Sequence, residues 1–159
     1  MEHDQELRKH ILYLLQGGGA HGKFDDAVAD FPAPLRGAKM DRLPYTAWQL
    51  LEHMRLAQWD ILDFSRNPNY REMKFPDDYW PKTEAPPNDA AWEKSVAAFQ
   101  HDLKEMQKLV ENPKTGLYAK ISWGDGQTIL REALLVADHN AYHLGQLVML
   151  RRLLGAWES

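Results

Sequence analysis

Apolar side chains recur every three or four residues along four stretches of this chain, which is the period of an amphipathic α-helix. The predicted helices cover residues 3–16, 46–66, 90–110 and 128–154, with a short extra helix at 24–31. The starts and stops support these limits: Thr46 and Gln49 form a capping-box pattern, and Asn67-Pro68 and Asn112-Pro113 follow the second and third long stretches. Residues 118–123 could form a short β-like stretch, but no longer strand pattern is present. The pattern therefore predicts an all-α protein with four long helices.

A long segment, residues 67–87, separates the second and third long helices. It holds five prolines and several aromatic residues, among them Tyr70, Phe75, Tyr79 and Trp80. A loop of this length inside one domain is usually functional or packs against the body of the protein. Its aromatic content favours a loop held against the helices, and its length allows a crossover in place of a tight hairpin.

The last predicted helix is apolar on nearly all sides, with leucine, valine and alanine at most positions between Leu130 and Leu154. One face of a helix in a four-helix bundle cannot bury that much apolar surface. Such a helix is central or lies in a subunit interface, so the sequence predicts a homodimer.

Length, charge and composition narrow the function classes. The 159 residues fit one domain, 1–159, and the 44% apolar and 26% charged content is that of a globular chain. A net charge of −4 argues against nucleic acid as a partner, since phosphate binding needs a basic surface. The chain has no cysteine, so it offers no thiolate ligand or nucleophile of its own. No apolar run is long enough to span a membrane and the charged N-terminus lacks a signal-peptide core, so we expect no membrane partner and a cytoplasmic location.

Two histidines in the last helix are the strongest chemical signal. His139 and His143 are four residues apart, so their rings leave one face of the helix about 6 Å apart along its axis. This spacing lets one helix offer two nitrogens to one metal ion. His53 is in register with the apolar positions of the second long helix and points inward. A lone inward histidine is more often a hydrogen-bonded core residue than a metal ligand, but beside the pair in the last helix His53 favours a three-histidine site. The other four histidines, His3, His10, His21 and His101, lie in polar surroundings and are predicted to be surface residues.

The residues beside these histidines leave the reaction open. A His-Glu-x-x-His metalloprotease needs a glutamate where this chain has Asn140, so that function lacks its general base. Asp138 suits a supporting role better than metal ligation. Asp60, two turns beyond His53, could orient a ligand or contact substrate, or be a half-exposed helix carboxylate. Asp60 and Glu52 are the weak candidates for a hydrolytic base.

Four segments in order along the chain resemble the DinB/YfiT-like superfamily of metal-binding four-helix proteins. They are Leu43–Met54 (LPYTAWQLLEHM), Phe75–Pro81 (FPDDYWP), Gly124–Leu130 (GDGQTIL) and Asp138–Gln146 (DHNAYHLGQ). The resemblance implies an up-down-down-up four-helix bundle. It also implies that His53, His139 and His143 bind one divalent metal ion, for which we expect zinc or nickel.

The resemblance implies less about the reaction. Similar proteins include S-transferases that use bacillithiol, isomerases that use mycothiol and a domain of ergothioneine synthesis. We therefore expect a metal-dependent transferase, with an external low-molecular-weight thiol and an electrophile as its partners. Asp60 and Tyr142 are candidate orienting groups, chosen for position alone. Six aromatic residues could line a pocket or serve as core: Tyr45, Trp48, Tyr79, Trp80, Trp123 and Tyr142. The alternatives are a non-enzymatic metal-binding stress-response protein and a metal-dependent hydrolase.

Overall fold

The computed structural model describes residues 2–157 and contains the four predicted long helices. They are α1 (Glu2–Gln16), α3 (Ala47–Arg66), α4 (Asp89–Glu111) and α5 (Ile129–Leu153), with a short α2 (Phe24–Val28) and a 3₁₀ turn at Ala33–Leu35. Within the described residues there is no strand; the β-like stretch contributes a single bridge, between Lys120 and Thr128. The all-α prediction is therefore confirmed. Residues 1, 158 and 159 of the predicted domain lie outside the described part of the chain, and the single-domain assignment stays a prediction.

Side-chain caps fix where the helices that carry the histidines begin. Thr46 and Gln49 form both hydrogen bonds of the capping box at the start of α3, at 3.0 and 3.2 Å. The Thr128 hydroxyl accepts from the backbone N–H of Arg131 at the start of α5. Because a helix has a fixed rotation per residue, these caps set the direction in which His53, His139 and His143 leave their helices.

α3 lies between α4 and α5 and contacts both. The Gln58 side chain donates to the carbonyl of Phe99, and the Arg66 side chain donates to Glu105. Because the later residue of α3 contacts the later residue of α4, these two helices run parallel. Along α5 the order is reversed: His143 faces His53, and Asn140 bonds to Gln58, so α5 runs antiparallel to α3. The loop after α3 provides the length that a parallel neighbour needs. The direction of α1, and with it the complete up-down-down-up order, stays a prediction.

A layer of buried polar side chains separates two apolar clusters in the bundle. One cluster includes Leu51, Trp92 and Leu147, and the other includes Leu62 and Val110. On α3, from within the first cluster to the start of the second, lie the polar residues His53, Gln58 and Asp60, all less than 10% exposed. Buried polar groups are costly unless they are hydrogen-bonded or bind a ligand, so this layer is a candidate functional site.

The loop between α3 and α4 packs against the body of the protein, as its aromatic residues predicted. The Trp48 indole donates to the Thr83 hydroxyl at 3.0 Å, and the Thr46 hydroxyl donates to the carbonyl of Glu84 at 2.6 Å. Earlier in the loop, the hydroxyls of Tyr70 and Tyr79 donate to the carboxylate of Asp60. The loop thus forms a wall beside the polar layer.

α5 exposes part of its apolar surface. It buries Leu144, Leu147 and Leu150 against the other helices. On its outer side four large apolar residues are 42–65% exposed: Leu134, Tyr142, Met149 and Leu153. No helix in residues 2–157 combines the length and the apolar character that crossing a membrane requires.

Candidate metal centre

The structure brings the three predicted histidines together in the polar layer. The Nε2 atom of His53 lies 3.1 Å from Nε2 of His143 and 3.1 Å from Nε2 of His139. His53 and His143 are buried, and His139 is half-buried. Three ring nitrogens from two antiparallel helices therefore converge on one point.

The hydrogen bonds around the rings determine which nitrogens can bind a metal. Nδ1 of His53 lies 2.9 Å from the carbonyl oxygen of Tyr79, which can only accept, so Nδ1 carries the hydrogen. Nδ1 of His143 donates to Oε1 of Gln146 in the same way, at 2.7 Å. In the neutral rings, both Nε2 atoms then carry lone pairs that face each other across 3.1 Å. Two lone pairs at this distance repel, and a cation between them removes the repulsion.

Burial keeps the three imidazoles neutral. It lowers the pKa of His139 to about 3, and the neighbouring His143 and His53 add to this effect. Burial also lowers the pKa of His53 and of His143, although their hydrogen bonds to Tyr79 and Gln146 act in the opposite direction. Neutral imidazole is the form that ligates metals, so the centre is competent to bind an ion near neutral pH.

The residues present fit a divalent metal ion. Two nitrogens at about 2.0–2.1 Å from one ion lie about 3.0–3.4 Å apart, and the observed separations of 3.1 Å fall in this range. An all-imidazole donor set suits zinc, nickel, copper or iron. Three protein ligands would also leave at least one coordination position open, as in catalytic sites and unlike closed structural sites.

Two aromatic rings hold His53 in place. The Trp80 ring stacks on the His53 ring, with 3.8 Å between centroids and 1° between planes, and Tyr45 stacks on the other face of Trp80 at 4.0 Å. The sequence indicated both residues only as pocket or core candidates. The stacking role was not visible there, because it depends on where the long loop lies.

Asp60 acts on the centre through the loop. Its two carboxylate oxygens accept from the hydroxyls of Tyr70 and Tyr79, at 2.9 and 2.6 Å. The same Tyr79 supplies the carbonyl that fixes the ring orientation of His53. Burial and the bonds to Asp60 raise the pKa of both tyrosines, so these hydroxyls stay protonated donors. Asp60 thus anchors the segment that orients His53 and does not contact the ring itself.

An open cleft of about 900 Å³ adjoins the three histidines. Four of the six aromatic residues proposed from sequence line it: Tyr45, Tyr79, Trp80 and Trp123. Trp48 instead is buried in the core, and Tyr142 lies on the outer side of α5, 65% exposed, with its ring edge-on to His143 at 4.9 Å. An ion at the histidines would be reachable from this cleft by a small molecule.

The remaining candidates lie away from the cleft. Glu52 is bound by Arg55 at 2.7 and 2.9 Å and does not line the cleft, and Asp138 is exposed. Asn140, where a protease would have glutamate, donates to Gln58, which in turn donates to the carbonyl of Phe99. Asn140 therefore joins α5 to α3 and α4. The four histidines predicted to be surface residues, His3, His10, His21 and His101, are exposed.

Comparison with known proteins finds a match to a family model. The family model described as DinB family matches residues 9–158, nearly the whole chain. No curated protein and no solved structure shows a significant match. The matched range includes all three histidines of the centre.

Proposed function

The chain belongs to the DinB family, a metal-binding family. From this membership and the geometry of the centre, we propose that the protein is a metal-dependent transferase that uses a low-molecular-weight thiol. The observation that carries the proposal is the convergence of three Nε2 atoms beside an open cleft. An ion that only stabilised the bundle would need no cleft of about 900 Å³ at its open side. The chain has no cysteine, so the thiol would come from outside.

The proposed reaction joins the thiol sulfur to an electrophilic carbon. A divalent ion bound at the centre would lower the pKa of the thiol that it coordinates. The thiol gives up its proton to solvent, a sulfur electron pair forms the new sulfur–carbon bond, and the leaving group departs with the electrons of the bond that breaks. A cytoplasmic location, where such thiols are kept reduced, stays a prediction of the sequence.

The side chains of the centre would bind and orient. His53, His139 and His143 would act as ligands and not as acid or base, since the ion would occupy their lone pairs. Trp80 and Tyr45 hold the His53 ring and exclude water from one side of the centre. Asp60 is committed to two tyrosine hydroxyls, and Glu52 to Arg55, so neither is positioned to activate water for hydrolysis.

Turnover of a generic electrophile tests this function. We expect metal-loaded protein to accelerate the reaction of chlorodinitrobenzene or a bimane reagent with one or more of bacillithiol, mycothiol, glutathione and coenzyme A. The rate should fall to that of the reagents alone after chelation and in His143→Ala, and should be retained in His101→Ala, which changes an exposed histidine outside the centre. If the protein accelerates none of these reactions and the bundle unfolds when the metal is removed, the transferase function is rejected. A structural or metal-binding role would then take its place.

We propose that the exposed apolar side of α5 joins two copies of the chain. Light scattering at micromolar concentration is then expected to give twice the chain mass of 18.4 kDa. The double substitution Met149→Glu with Leu153→Glu should give monomers, because it places charges on this surface. Tyr118→Glu, at a residue 68% exposed outside α5, is the matched control and should remain dimeric. A wild-type monomer would overturn the homodimer.

A further inference from the structure

The cleft is chemically asymmetric. At one end lie the three histidines, and toward the other end four carboxylates line the wall but only one cationic side chain does. The carboxylates are those of Asp60, Glu72, Asp125 and Glu132, and the cation is that of Arg131. We call this part of the cleft the acidic end.

The helix geometry sets the distance between the two ends. Asp60 follows His53 by seven residues on α3, and Glu132 precedes His139 by seven residues on α5. Seven residues span about 10 Å of helix. Because α3 and α5 are antiparallel, both carboxylates are displaced from the histidines in the same direction. The acidic end therefore lies about 10 Å from the metal centre.

The one cation at this end is already paired. An Arg131 guanidinium nitrogen donates to Glu132 at 2.6 Å, and Glu132 is 2% exposed, so this pair is close to neutral. Asp60 accepts only from neutral hydroxyls, which do not cancel its charge. Three carboxylates, those of Asp60, Glu72 and Asp125, thus remain without a cationic partner among the side chains that line the cleft. A concave surface with charges of one sign concentrates ions of the other sign.

Two further features of the acidic end suit a cationic hydrogen-bond donor. Gln127 lines the cleft, and its side-chain Oε1 is buried with no hydrogen-bond donor among the described residues. Phe64, Tyr70 and Trp123 line the same region, and the faces of aromatic rings attract cations. The Trp123 indole N–H is itself engaged by the carbonyl of Phe64 at 2.7 Å, so it offers no donor to an anionic ligand.

We propose that the acidic end of the cleft binds a positively charged group, so that the ligand of this protein carries an ammonium or similar cation about 10 Å from the atom placed at the metal centre. The inference that this ligand carries a thiol rests on the function proposed above, whereas the inference that it carries a cation rests on the cleft alone. The preferred class is an extended aminothiol, or an amine-bearing electrophile. Coenzyme A, with its phosphates, is the least suited member of the thiol panel.

Three thiols of equal length test the charge preference: 6-amino-1-hexanethiol, 6-mercapto-1-hexanol and 6-mercaptohexanoate. Their terminal charges differ, but these groups are too far from the sulfur to change its pKa much. Binding to cobalt-loaded protein is followed by the sulfur-to-cobalt absorption band at physiological salt. Hexylamine, hexanol and hexanoate are titrated in parallel against metal-free protein by tryptophan fluorescence, since Trp80 and Trp123 line the cleft. We expect the cationic member of each series to bind at least about tenfold more tightly than the anionic one.

Charge-neutralising variants locate the preference in the cleft. The double variant Glu72→Gln, Asp125→Asn removes two of the three unpaired carboxylates. It should therefore reduce the preference for the cationic over the anionic ligand to less than about threefold. Asp77→Asn is the matched control: Asp77 is an exposed carboxylate of the same loop outside the cleft, and its loss should leave the preference unchanged.

The outcomes separate this inference from the proposed function. One outcome is that none of the three thiols produces the sulfur-to-cobalt band, while the metal-free protein still binds hexylamine in preference to hexanoate. That result would reject the thiol function and support the cationic subsite. Equal affinity across each series, a preference for the carboxylates, no binding in any titration, or an unchanged preference in the double variant would overturn the subsite.

Discussion

Removing the metal from protein purified without chelator is expected to lower its melting temperature by about 5–10 °C. An ion that binds only the folded state stabilises it by about 2.7 kcal/mol when its free concentration is a hundred times the dissociation constant. For a domain of this size, each kcal/mol corresponds to about 2–4 °C. The effect should be large because the ion joins α3 to α5 and removes the repulsion between lone pairs of His53 and His143.

Elemental analysis and thermal melts with and without chelator provide the measurement. We expect one divalent ion per chain, zinc or nickel. The triple variant His53→Ala, His139→Ala, His143→Ala should contain none and should melt at the same temperature with and without chelator. His101→Ala, an exposed histidine on α4, should behave as wild type. Absence of metal from the wild type, or full retention by the triple variant, would reject the ligand assignment.

Asp60→Ala is expected to weaken metal binding about 10- to 100-fold although Asp60 touches no ligand ring. Groups that orient a metal ligand typically have effects of this size. Without the carboxylate, the hydroxyls of Tyr70 and Tyr79 lose their acceptor, and the loop that places the Tyr79 carbonyl against His53 is released. Loss of these acceptors should also lower the free energy of unfolding of the metal-free protein by about 1–3 kcal/mol.

Metal competition titrations measure the first effect and urea denaturation the second. Asp60→Asn keeps one acceptor oxygen and should fall between Asp60→Ala and wild type in both. Asp63→Ala is the control, since Asp63 lies on the same helix, bonds only to Asn67 and does not line the cleft. It should not change the affinity for metal. An Asp60→Ala protein with wild-type metal affinity would mean that the loop does not position His53.

The local pattern predicted the helices well because each one is specified by residues close in sequence. The capping box of Thr46 and Gln49 is formed as predicted, and α5 begins one residue after the predicted start at Thr128. The four long helices begin and end within one or two residues of the predicted limits, and α2 is three residues shorter. The His139 and His143 pair follows from helical spacing alone, and His53 was found through its register with apolar neighbours.

By itself, then, the sequence determined the helices, their inward faces and the three histidines of the candidate centre, because these depend on spacing within single helices. Only the tertiary structure decided what surrounds them: the stacking of Trp80 on His53 and the link from Asp60 through Tyr79 to His53. It also placed Trp48 in the core and Tyr142 outside the cleft, whereas the sequence had left all six aromatic residues open as pocket or core residues. The physical reason is that a loop has no periodicity from which its path can be inferred, so contacts made by residues 67–87 emerge only when the loop packs against the helices.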